Sequence, residues 1–232
     1  EGLKLAVNAL YALQRYYAND TENATIFALE RGTDLAVTNG GTGNFYGIYD
    51  PNYLKPSASQ VGFMWRTMYQ IIGKANEIIA AAEDLEDTPS LRATVSEAKC
   101  FRAQSYFLLY RTFDRIWLNM LPTTAENVND PRDFHAASEK EVFELIYEDL
   151  EYAITNLDWV SDEAGRFTQA AARHMKAKAA LWLKDWDTTL EQVEEIEKSG
   201  HFDLIALNEV FNAGDLNHKE ALMVQQWSKN PG

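Results

Sequence analysis

Cysteine is almost absent: the 232 residues hold one, Cys100. That excludes an internal disulfide and any cysteine-based zinc site. Lying among apolar residues, the single thiol reads as inert rather than nucleophilic. Basic residues are also scarce, 21 Lys and Arg against 35 Asp and Glu, for a net charge of −14. Such a surface repels phosphate backbones, which argues against a nucleic-acid partner. No uncharged apolar run approaches the roughly 18 residues a spanning helix needs. The chain opens at Glu1 without a methionine or a signal-peptide pattern, so a piece of a longer protein is expected.

What is present is helical periodicity. Leu3, Val7, Leu10, Tyr11 and Leu13 recur three and four apart, as one face of a helix does. Residues 32–60 break the pattern with Gly32, Gly40, Gly41, Gly43, Gly47, Pro51 and Pro56, and read as a long loop. Trp65, Met68, Tyr69, Ile72, Asn76 and Ile79 then share a helix face. Thr88-Pro89 reads as an N-cap and first helical residue, opening a helix that ends near Asp114. Residues 119–137 make a second loop rich in Asn, Asp and Pro. Ser138-Glu139-Lys140-Glu141 is a capping box for the next helix. Thr168 caps an alanine-rich helix through Lys184, Trp186-Asp187 is expected to form a tight turn, and Gly200 closes the last helix. Residues 167–200 have the length of one tetratricopeptide (TPR) unit, and the earlier pairs are similar in build. The expectation is one all-α domain over 1–232 of TPR-like stacked helical hairpins with long irregular loops. The apolar run before Ser228 reads as a strand or buried extended segment.

Catalytic patterns are missing. His135, His174, His201 and His218 share no ligand spacing, and there is no H-E-x-x-H, G-x-S-x-G or P-loop. Gly41 to Gly47 resembles a dinucleotide-binding glycine string but is one residue too long and lacks the strand–turn–helix setting. Glu126, Asp130 and Asp133 could offer oxygens to calcium, but their spacing fits no EF-hand, and a solvated acidic loop is the plainer reading. No metal or cofactor is expected. The aromatic residues, 12% of the chain, are more informative. Rings on helix faces read as core. Those in the first loop cannot all be core, because loops run over the surface. Phe45, Tyr46, Tyr49 and Tyr53, accompanied by Asn44 and Asp50, suit a sugar: ring faces stack on its C–H surface while amides and carboxylates meet its hydroxyls. These six are the candidate ligand residues, with loop packing as the alternative.

Trp65-Arg66-Thr67-Met68-Tyr69-Gln70-Ile71-Ile72-Gly73-Lys74-Ala75-Asn76 resembles the W-x-x-x-Y-x-x-I-x-x-A-N segment of the SusD/RagB family. Glu97 to Phe107 is similar to that family's E-A-x-F-L-R-A-x-x-Y-F, Asp149 to Ala153 to its D-L-x-x-A, and Arg166 to Leu183 to its G-R-x-T helix. Gly200 to Leu204, followed by Glu220-Ala221-Leu222, resembles G-x-Y-x-L…E-x-I-F. Where the family often continues F-G-x-x-P, this chain has Phe113-Asp114-Arg115-Ile116-Trp117 and reaches proline only at Pro122. The resemblance implies a SusD-like fold with its C-terminal part missing. It implies a non-enzymatic, surface-exposed outer-membrane lipoprotein, anchored by lipid upstream of Glu1, that passes a glycan to a TonB-dependent, SusC-like transporter. It also implies structural roles for Arg102, pairing with neighbours, and for Asn76, closing backbone groups. The family's ligand residues have no motif to carry over. Two other classes compete: a TPR-type scaffold binding peptide or protein, and an α-helical glycosidase, for which no acid pair can be picked out.

Overall fold

The computed structural model describes residues 2–19, 59–131, 134–210 and 217–225. Among the described residues the only regular structure is helical: α1 (Gly2–Asn19), α2 (Ser59–Glu83), α3 (Pro89–Phe113), α4 (Glu139–Asn156), α5 (Gln169–Leu183), α6 (Trp186–Lys198) and a single turn, α7 (Leu207–Val210). From α2 to α6 each helix packs on its neighbours in sequence, and α1 lies against α2 and α3. Consecutive helices run antiparallel. Tyr17 at the end of α1 stacks on Phe63 near the start of α2, and Tyr110 near the end of α3 donates to Glu139 at the start of α4. Trp182 near the end of α5 meets the Phe107 ring of α3 edge-on. One end of the array thus gathers the C-termini of α1, α3 and α5 with the N-termini of α2, α4 and α6.

The helix starts follow the expected chemistry. Thr88 and Thr168 accept the amides of Leu91 and Ala171, and Ser138 and Glu141 cap each other reciprocally. Each such cap contributes about 1 kcal/mol. The core is one continuous cluster including Leu10, Ile72, Phe101, Tyr106, Leu109, Ile146 and Leu150. Burial of each large apolar side chain in it contributes about 1.5–3 kcal/mol. Ala170, Ala171, Ala172, Ala177, Ala179 and Ala180 are buried along α5, where the absence of bulk lets helices approach closely.

Several boundaries differ from the sequence reading. Ser59 and Gln60 are helical rather than the end of the first loop; residues 20–58 lie outside the described residues. The turn expected at Trp186-Asp187 falls two residues earlier. Lys184 adopts the left-handed conformation (φ 60°, ψ 26°), and Asp185 caps α6 by accepting the Thr188 amide, so Trp186 is already helical. Lys184 occupies a position where glycine would have advertised the turn. Residues 221–225 are half-buried and form no strand, and 226–232 lie outside the described residues.

Asp114 explains the departure from F-G-x-x-P. It closes α3 at φ 62° and ψ −51°, a region that suits glycine and strains a side-chain-bearing residue. Asp114→Gly is expected to raise stability by about 1 kcal/mol, relief of strain outweighing glycine's greater unfolded-state entropy. A thermal melt showing no gain would contradict this.

Candidate functional site

The residues of the three strongest motif segments meet around one stretch of chain. Asp149 on α4 is fully buried and takes two hydrogen bonds from Arg102 on α3, Nε to Oδ2 at 2.7 Å and Nη2 to Oδ1 at 2.8 Å. Lys99 adds a third at 2.8 Å. The remaining guanidinium nitrogen donates to Asn76 Oδ1 at 2.8 Å, and Asn76 Nδ2 donates to the Asn119 carbonyl at 2.7 Å. Arg102 and Asn76 are therefore structural, as the motif reading had them; their partners Asp149 and Asn119 were not foreseen. Tyr106 Oη donates to the Asn119 carbonyl and accepts its amide, while Tyr69 Oη does the same for Trp117. Desolvation by burial is the main cause raising both phenols above their ordinary value, so both stay protonated and able to donate.

This bonding presents a row of rings. Trp65 lies 4.9 Å from Tyr69, Tyr69 lies 6.4 Å from Trp117 at an interplanar angle of 24°, and Trp117 lies 4.8 Å from Phe134. A cavity of about 390 Å³ opens beside Trp117, walled by Leu118, Met120, Leu121 and Pro122 and by the polar Asn127 and Asp130. Phe134 is 70% exposed, and Tyr16, Trp182 and Trp186 are also exposed. These are the exposed aromatic side chains among the described residues, and all lie at the end defined above. Apolar rings with amide and carboxylate groups beside them can stack on a sugar and bond its hydroxyls.

The sequence-predicted ligand residues Asn44, Phe45, Tyr46, Tyr49, Asp50 and Tyr53 lie outside the described residues. Their segment leaves from the end of α1 and re-enters at the start of α2, where Tyr16 and Tyr17 pack on Phe63 at 5.7 and 6.1 Å. Both junctions are therefore at the aromatic end. Trp117 and Phe134 were missed as ligand residues, although Phe134 lies inside the Asn-, Asp- and Pro-rich loop and Trp117 just before it.

The remaining singled-out residues are dispersed. Cys100 is fully buried, and desolvation pushes its thiol well up, away from the reactive thiolate. Glu126 is exposed, Asp133 lies outside the described residues, and among those described no group of three or more His, Cys, Asp or Glu could hold a metal. Glu97 is a half-buried carboxyl at the opposite end, raised chiefly by desolvation against the opposing effects of the Tyr11 hydroxyl and Arg166.

A stack of antiparallel helical hairpins whose exposed aromatic side chains, among the described residues, lie at one end defines a TPR-like architecture. A family model described as "SusD-like_3: Starch-binding associating with outer membrane" matches residues 7–181. The chain belongs to this SusD-like family. A SusD-like protein of Bacteroides ovatus is 26% identical over 81% of this chain and 38% of its own length. SusD-like protein P2 of Formosa agariphila is 28% identical over 95% of this chain and 44% of its own. The chain thus spans less than half the length of these curated relatives. Among solved structures, a laminarin-binding SusD-like protein superposes with a TM-score of 0.76 at 24% identity, over 88% of this chain and 46% of that one. A structure determined with xylogluco-oligosaccharide superposes at 0.77 and 22% identity, over 98% and 46%. These likenesses establish the SusD-like helical fold.

Proposed function

We propose that residues 1–232 form the helical part of a non-catalytic protein that captures glycan at the cell surface. The observation that carries this is the gathering of exposed rings at one end, where α1 ends and α2 begins and the chain between them, residues 20–58, holds most of the aromatic-rich stretch expected over 32–60. Two proteins of the same fold, a laminarin-binding SusD-like protein and one determined with xylogluco-oligosaccharide, support the ligand class. The carboxylate surplus favours a neutral glycan over an anionic one. The bound glycan would pass to a TonB-dependent, SusC-like transporter, the protein being held at the outer membrane by an N-terminal lipid anchor. The family description, starch-binding and associating with the outer membrane, supports that placement.

Calorimetry of the full-length protein against a glycan panel tests the reading. Saturable binding without product formation is expected. Trp117→Ala and Tyr46→Ala should each weaken it by about 0.5–1.5 kcal/mol beyond the area lost, several-fold to tenfold in affinity. Absence of binding across the panel would favour the peptide-scaffold alternative.

A further inference from the structure

We infer that the hydroxyls of Tyr69 and Tyr106 stand in for an absent β-strand along residues 116–119, and so hold Trp117 in the posture that receives ligand. The ligand half of this rests on the function proposed above; the clamp itself does not. In an antiparallel strand pair, alternate residues give both their N–H and their C=O to one residue opposite. Trp117 and Asn119 are alternate residues, and each gives both groups to a single phenolic oxygen. The Trp117 bonds measure 2.9 Å for N–H to Tyr69 Oη and 2.8 Å for Tyr69 Oη to C=O. The Asn119 bonds measure 2.7 and 2.9 Å to Tyr106 Oη.

A hydroxyl can do this because it is both donor and acceptor at one atom. Phenylalanine offers neither function, and serine or threonine on the same helix face would not reach. The preceding carbonyl is held as well, Ile116 accepting the Ala137 amide at 2.8 Å. The Ile116 side chain is buried as an anchor under the segment. Asn76 supplies a second donor to the Asn119 carbonyl, and Arg102 fixes which way the Asn76 amide faces by donating to its oxygen. Tyr69, Tyr106, Asn76 and Arg102 come from two different helices and converge on four residues of irregular chain. They are positioning residues. None has to touch ligand to affect affinity, because Trp117 and the cavity beside it are built on the segment they hold.

Site-resolved amide exchange on the full-length protein without glycan tests the clamp. Tyr69→Phe keeps the ring that stacks on Trp117 and should speed exchange of the Trp117 amide about fivefold to tenfold, with Asn119 little changed. Tyr106→Phe should do the reverse; each replacement removes two hydrogen bonds to one residue, and the one held by the amide itself, which sets its protection, is of that size. The Leu109 amide, inside α3, should keep its protection in both and so reports that the fold is intact. Unchanged exchange at Trp117 and Asn119 would overturn the clamp whatever the ligand. In glycan calorimetry Tyr106→Phe should weaken binding about threefold to tenfold. Faster exchange with unaltered affinity, while Trp117→Ala does lose affinity, would overturn the ligand role and leave the clamp as architecture alone. If Trp117→Ala leaves affinity unaltered, the proposed site fails, and the ligand role of the clamp is overturned with it.

Discussion

Asp149→Ala is expected to cost the fold about 3–5 kcal/mol, because it strands the Arg102 guanidinium in the interior. Asp149 is wholly enclosed, and the Arg102 side chain is 5% exposed, so water cannot replace the lost partner. Lys99, with a side chain 17% exposed, would lose its counter-ion too. Arg102→Ala should cost somewhat less, because Lys99 remains to pair the carboxylate while Asp149 Oδ2 and Asn76 Oδ1 lose their donors. Arg102→Lys is not conservative, since an ammonium cannot make the paired Nε and Nη2 contacts while also reaching Asn76. The double replacement Arg102→Met with Asp149→Leu should recover most of the loss, because apolar pairs of similar volume often match or exceed a buried ion pair. Urea unfolding of the set gives the coupling energy directly. Single replacements costing less than about 1 kcal/mol would mean that water enters the site.

Phe101→Ala should cost a further 3–5 kcal/mol on its own, the range for deleting a fully enclosed aromatic ring. The ring is 1% exposed and is wedged edge-to-face between Tyr11 at 4.7 Å and Phe167 at 4.9 Å. It therefore joins three parts of the array: α1, α3 and the residues just before α5. Tyr11 itself donates to Glu97 and accepts the Phe167 amide, so the void would also loosen that polar bridge. Phe101→Leu should cost clearly less, since leucine refills part of the space. Equal losses for Ala and Leu, measured by chemical unfolding, would show that ring geometry rather than volume governs the site.

Helix starts were legible because their chemistry is local. Thr88, Ser138 with Glu141, and Thr168 each bond within three residues of themselves. The Lys184 turn was misplaced because a lysine in the left-handed region leaves no compositional mark. Arg102 was legible as an ion-pairing residue on a helix face, but its partner lies 47 positions away and no local pattern points to it. The tyrosines show the same limit at a single side chain. The Tyr106 ring was readable as core, yet the task of its hydroxyl depends on where Asn119 falls after the chain has left α3. Trp117 and Phe134 were not read as ligand residues because Trp117 takes its place from Tyr69, far back in the sequence on α2, and Phe134 packs on Trp117 in turn.

The antiparallel order of the helices also makes the molecule optically lopsided. Trp65, Trp117, Trp182 and Trp186 are four of its six tryptophans, and all sit at the end that carries the exposed rings. Trp159 is at the other end against His201, and Trp227 lies outside the described residues. Ultraviolet emission from this protein is therefore weighted toward one end of the array, which acts as its own dye there without any label attached. A single exchange at Trp159 would remove an emitter remote from that end and sharpen the signal further.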